Sequence, residues 1–275
     1  MDWWELFAAL VLGIVEGLTE FAPVSSTGHM IIVDDWLFKT KEMFSPEVAN
    51  TFKVVIQFGS ILAVVVLMWE RFMTMLGLKK VTGEQASQPR LKLTQVIVGI
   101  LPFGILGFIF EDFIDTYLFS TQTVVIGLVL GAFLMIAADL LAPRVKKVET
   151  VDQVTYKQAL TIGLVQCLAM WPGFSRSGST ISAGVLLGLS HRAAADFTFI
   201  MAVPIIGGAS FLSLVKSWDA ITADVIPFFI VGFISAFLVA LVSIRFFLKL
   251  INRIKLIPLA IYRIVLAAVI YFVFL

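Results

Sequence analysis

One cysteine, Cys167, in 275 residues leaves no internal disulfide and no cysteine-rich zinc or iron–sulfur centre, so it reads as a buried apolar filler. Charge is also scarce: 14% of residues are charged, 60% are hydrophobic, and the mean hydropathy is +1.01. A water-soluble core cannot hide that much apolar surface, so lipid must cover part of it. The net charge of +1 says little alone, and no nucleic acid is expected as a partner. No linker, low-complexity stretch or soluble module interrupts the chain. Neither G-x-S-x-G nor H-E-x-x-H occurs, so the motifs of serine hydrolases of that type and of zinc proteases are missing. A cleavable leader is not expected either. Glu16 and Glu20 stand where a signal peptidase needs small residues, and no basic segment comes first.

What is present is a series of apolar runs, which predicts an all-α polytopic membrane protein. Six are long enough to cross a bilayer: about 51–70, 93–111, 122–141, 197–214, 226–247 and 258–274. Basic loops holding Arg71, Lys79, Lys80, Arg90 and Lys92, then Arg144, Lys146, Lys147 and Lys157, then Arg245, Lys249, Arg253 and Lys255, are expected in the cytoplasm. The connections with Glu111, Asp112 and Asp115, and with Lys216, Asp219 and Asp224, should face outward. Two further stretches are broken by proline, and their second arms are too short to cross. Residues 4–21 run to Pro23 and resume at 29–38; 158–171 run to Pro172 and resume near 180–190. Each pair reads as a re-entrant hairpin turning back at mid-membrane. The first then enters from outside and the second from the cytoplasm, with both termini outside.

An internal repeat agrees with this count. Residues 12–29, LGIVEGLTEFAPVSSTGH, align without a gap on 162–179, IGLVQCLAMWPGFSRSGS, so that Gly13 meets Gly163, Glu16 meets Gln166, Ser25 meets Ser175 and Gly28 meets Gly178. A single domain over 1–275 is expected, with repeat one at about 1–141 and repeat two at about 155–275. Each half holds one hairpin and three crossings, and an odd number of crossings inverts the second half relative to the first. The two tips then meet near the midplane.

Charges in apolar context are costly and usually functional. Glu16 and Glu20 lie four apart on one helical face, where two carboxylates can hold a divalent cation or divide acid and base roles; the structural alternative is that they pair with Arg176 merely to stay buried. Ser25, Ser26, Thr27 and Gly28, followed by His29, form a hydroxyl-rich turn before a new helix, suited to a phosphate group. A plain helix cap would explain one hydroxyl but not three. The opposite turn supplies Ser175, Arg176 and Ser177, and a guanidinium suits bidentate phosphate binding. His191 sits beside Arg192 at an edge and reads as interfacial.

EGLTEFAPVSSTGH at 16–29 together with PGFSRSG at 172–178 resembles the undecaprenyl pyrophosphate phosphatase family associated with bacitracin resistance, and the likeness extends over most of the chain. It implies hydrolysis of undecaprenyl pyrophosphate to the monophosphate at the outer face of the bacterial inner membrane, dependence on a divalent cation, Mg²⁺ or Ca²⁺, and recycling of the lipid carrier for peptidoglycan. Residue by residue it implies metal or base roles for Glu16 and Glu20, a nucleophilic or phosphate-contacting role for Ser26, acid/base work for His29 and a phosphate contact for Arg176. Ala22 departs from the bulkier apolar residue of many relatives, with no expected loss of chemistry. The expected reaction has Ser26 attacking in line while His29, aided by Glu20, takes its proton. Direct attack by water, with Ser26 only positioning phosphate, stays open, as does a homodimer. The alternative function is a membrane transporter or flippase of a polyprenyl phosphate lipid, since inverted repeats with broken helices also build transport sites. A phosphatidic-acid-phosphatase arrangement fits less well, because His191 and Asp196 have one residue too many between them.

Overall fold

The computed structural model describes residues 2–79, 89–118, 120–143, 145–218 and 221–275. Lys80, Arg144 and Asp219 of the loop-charge reading, and the side chains of Glu111 and Asp115, lie outside the described residues. Among the described residues the chain is helical, without a named strand.

The six expected crossings appear as α4 (Pro46–Leu67), α6 (Leu93–Tyr117), α7 (Thr121–Leu141), α10 (His191–Lys216), α11 (Ile226–Ile254) and α12 (Ile257–Phe274), all long and apolar enough to span a bilayer. Several run past the apolar windows, because a helix ends at its caps and not where lipid ends. Ser45 accepts from the backbone N–H of Val48 and Pro46 occupies the first turn, so α4 begins before 51. Ser190 caps α10 through Ala193, which puts His191 and Arg192 inside the helix. Exposed Phe108, Phe133 and Phe272 line the outer surface, as a lipid-facing exterior requires.

The broken stretches are helices interrupted by turns. α1 (Trp3–Thr19) starts at a reciprocal Asp2–Glu5 capping box. It leads through a turn to α2 (Ser26–Met30), which continues as a π-helical segment, Ile31–Phe38. α3 (Thr40–Met43) follows, and α5 (Trp69–Met75) comes after α4. In the second half α8 (Tyr156–Gln166) tightens into a 3₁₀ turn, Cys167–Met170, before α9 (Arg176–Leu186). With 11 residues α9 is ~16 Å long, too short for a ~30 Å hydrocarbon layer.

α1 lies along α11, and α8 along α6. Both contacts depend on glycine. A Cβ on Gly13 would collide with the carbonyl of Gly232, and one on Gly163 with the carbonyl of Gly99. Gly13 and Gly163 are aligned positions of the repeat. α7 packs on α9 and α12, while α4 packs on α10 and α11. Phe21, Phe197, Phe199 and Met201 form part of the buried centre between these helices.

Candidate active site

Two turns with the same backbone carry the polar residues. Ser25 and Ser175, aligned in the repeat, have φ of 69° and 72°, a region non-glycine residues avoid at a cost of ~1–3 kcal/mol. Each then caps the next helix: Ser25 Oγ accepts from Gly28 N–H at 3.4 Å and Ser175 Oγ from Gly178 N–H at 3.1 Å.

Neighbouring residues of α12 hold both turns in this shape. His29 Nδ1 lies 2.7 Å from the Ser25 carbonyl, which can only accept, so Nδ1 carries the proton. In the neutral ring Nε2 then accepts from the Tyr262 hydroxyl, 2.7 Å away. Arg263 is fully buried, and its Nη2 donates to the carbonyls of Phe174 at 2.8 Å, Gly173 at 2.9 Å and Gly127 at 3.3 Å. Gly173, at φ 86°, passes so near the Val124 carbonyl that a side chain would clash.

Glu20 joins the turns. Its Oε1 accepts from Arg176 Nη2 at 2.6 Å and its Oε2 from the Ser26 hydroxyl at 2.8 Å. Ser177 Oγ also reaches back to the Ala22 carbonyl at 3.3 Å. The Arg176 and Glu20 side chains are only 12% and 10% exposed, a setting in which an ion pair is strong and costly to break. The pairing foreseen as a structural alternative therefore exists for Glu20, but it leaves Ser26 bonded to the other carboxylate oxygen.

A cavity of about 580 Å³ opens over this junction. Its polar wall holds Glu20, Ser25, Ser26 and Thr27 from one turn and Ser175, Arg176 and Ser177 from the other. Its other walls are largely apolar, with Phe103, Trp171, Ile205 and Ile206 among them. A phosphate at one end and a hydrocarbon chain at the other would meet matching surfaces.

Three expected site residues do not line it. His29 faces Ser25 and Tyr262, and the hydrogen-bond acceptor beside the Ser26 hydroxyl is Glu20. Gly28 is backed by Leu128 and Leu266, where a Cβ would sit tightly. Glu16 is buried on α1 within the fields of Glu20 and Arg176. Its Oε1 has no hydrogen-bond partner, and neither has Arg176 Nη1. No group of three or more His, Cys, Asp or Glu side chains gathers among the described residues, so a cation here would need oxygens from a ligand as well. Tyr262 and Arg263 escaped the sequence reading, although an arginine inside the apolar run 258–274 was a usable signal. His191 pairs with Asp139 at 2.6 Å, away from the cavity; Asp139 also accepts from Leu256 and Ile257 N–H, joining α7, α10 and the start of α12.

A family model described as "Bacitracin resistance protein BacA" matches residues 9–269. Similar curated proteins include the undecaprenyl-diphosphatase of Geobacillus sp. (strain WCH70), 68% identical over 274 residues and 100% of both chains. That of Geobacillus kaustophilus (strain HTA426) is 65% identical over the same coverage. The one from Bacillus subtilis (strain 168) is 62% identical over 270 residues, 98% of each chain.

Proposed function

Because the chain belongs to the bacitracin resistance protein BacA family, we propose that it is an undecaprenyl-diphosphatase, hydrolysing undecaprenyl pyrophosphate to undecaprenyl phosphate and inorganic phosphate. It is a multi-pass membrane hydrolase that returns the lipid carrier to peptidoglycan synthesis, and bacitracin resistance is the property for which its family is named. The observation that carries this reading is Glu20 bonded at once to Ser26 and Arg176 at the polar end of a cavity whose remainder is mostly apolar.

Ser26 Oγ attacks the terminal phosphorus in line. The bond from that phosphorus to the bridging oxygen breaks, and the lipid monophosphate leaves with the electron pair. Glu20 Oε2 takes the serine proton and passes it to the departing oxygen. The freed carboxylate next takes a proton from the water that attacks the phosphoserine, and returns it to Ser26 as phosphate leaves. Arg176 holds the charged oxygens of the transferred group, assisted by the hydroxyls of Ser25, Thr27, Ser175 and Ser177. His29 is a positioning residue in this scheme, fixing the Ser25 peptide from which Ser26 departs.

Two carboxylates one helical turn apart, one of them with an unpartnered oxygen, fit a divalent cation completed by substrate oxygens. Glu16 and Glu20 would hold it, with Glu16 the freer of the two. Bound there, Mg²⁺ or Ca²⁺ would neutralise charge on the pyrophosphate.

Two inverted halves, about 1–141 and 155–275, each with a re-entrant hairpin (α1–α2 and α8–α9) and three crossings, make up the single domain. The reading is supported by the closely similar φ of Ser25 and Ser175 and by the matched pairs α1 on α11 and α8 on α6. The basic-loop bias argues for the inner membrane with the active site open to the outer, periplasmic side. Single-cysteine labelling in a Cys167→Ala background tests this, and an outside-only reagent reaching position 147 in intact cells would reverse it. The activity itself is tested by phosphate release from purified protein across lipid pyrophosphates, with and without chelator. Lipid movement without phosphate release would instead favour a transporter.

A further inference from the structure

A second, larger cavity of about 890 Å³ lies toward the other end of α4 and α10. It shares no lining residue with the active-site cavity. On α4 the two use Val54 and Gln57 against Val64, Val66 and Leu67, and on α10 Ile205 against Asp196. At ~1.5 Å per residue they are roughly 10–15 Å apart along the helices.

Its charges leave a cationic surplus. Asp152 accepts from Arg71 at 2.7 Å, both oxygens of Asp196 accept from Arg192 Nε at 3.1 and 3.2 Å, and Glu70 pairs with Lys79 at 2.7 Å. The acids of the lining are thus engaged. Arg245 and Lys249, one helical turn apart on α11, line the same cavity and show no ion pair among the described residues. They also continue a stripe: Leu238, Val242, Arg245 and Lys249 follow at i, i+4, i+7 and i+11 on one helical face. Leu238 and Val242 are exposed on a helix apolar enough to span lipid. Trp69, 54% exposed and also in the lining, is a residue type that settles at the membrane–water interface. The stripe therefore runs from hydrocarbon to cations beside a cavity, which matches an amphiphile and not a free ion.

We propose that this cavity binds the phosphate-bearing headgroup of an anionic membrane lipid between Arg245, Lys249 and the Arg71–Arg192 wall, with an acyl chain along Leu238 and Val242. The site is independent of catalysis. Native mass spectrometry of the full chain, released from detergent with phosphatidylglycerol or phosphatidylcholine of matched acyl chains, tests it. Two uncompensated cations predict retention favouring phosphatidylglycerol by about tenfold or more. The double variant Arg245→Gln/Lys249→Gln should bring that preference close to unity while phosphate release and melting temperature stay unchanged. Arg245→Lys should retain it, and this separates lost charge from disturbed folding. Equal retention of the two lipids by the unaltered protein, or an undiminished preference in a folded double variant, would overturn the proposal. Inorganic phosphate at millimolar concentration should not displace the lipid; full displacement would assign the site to free phosphate and defeat the lipid reading.

Discussion

Replacing Arg176 with lysine separates charge from geometry. Arg176 Nη2 binds Glu20 at 2.6 Å, while Nη1 is buried without a partner. Leaving such a donor unmet costs ~1–3 kcal/mol, a cost a phosphoryl oxygen would remove. A lysine ammonium can keep the pair with Glu20, so the ~3–5 kcal/mol lost on breaking a buried ion pair is largely avoided and the protein should stay folded. It cannot present a second planar arm to the transferred group. Losing one preorganised donor lowers turnover by about 10²-fold or more, equal to roughly 2.7 kcal/mol of barrier at 1.36 kcal/mol per tenfold. The assay is steady-state phosphate release from a lipid pyrophosphate in detergent, with melting temperature measured in parallel. kcat should fall more than apparent affinity, because the prenyl chain's apolar binding is untouched. A folded Arg176→Lys protein within about threefold of the unaltered kcat would refute the clamp and leave Arg176 as a partner for Glu20 alone.

Ser26→Ala should cut turnover by several orders of magnitude with the fold intact, and quenched single-turnover reactions with labelled terminal phosphate should label Ser26 in the unaltered protein; turnover without label would favour direct attack by water. Glu16→Gln keeps shape but removes charge, so the phosphatase should need more divalent cation, and an unchanged cation titration would place the ion elsewhere. Arg263→Met leaves the carbonyls of Gly173 and Phe174 unpaired, which should cost ~1–3 kcal/mol each by thermal unfolding and lower kcat as the Arg176 turn loosens. Unfolding and kcat both near normal would show that this turn holds its own shape.

The crossings were legible because spanning lipid requires long apolar runs, and a hydropathy window sees such runs directly. Their ends were less so: α4 begins at Pro46 and α11 continues to Ile254, since capping hydroxyls and interfacial cations extend a helix beyond its apolar part. Glu20, Ser26 and Arg176 were legible as polar residues in an apolar context. Their connectivity was not. Nothing near Ser26 in the chain says that its hydroxyl turns to Glu20 and not to His29, and nothing near His29 points to Tyr262, which is 233 residues away.

The positions of Tyr262 and Arg263 give this a physical reason. A turn forced to positive φ stores strain that its own few residues cannot hold, so neighbouring structure must hold it. Here one helix does so for both turns, through His29 to Ser25 and directly to Gly173 and Phe174. Glu20 then needs to find Ser26 and Arg176 only across a gap already fixed in width. The Arg263 contacts are buried, and a buried polar network specifies one arrangement when satisfied and becomes costly when cut. Substitutions in α12 that never touch the cavity should therefore weaken catalysis through the turns, whereas substitutions on the lipid-facing side of the same helix should not.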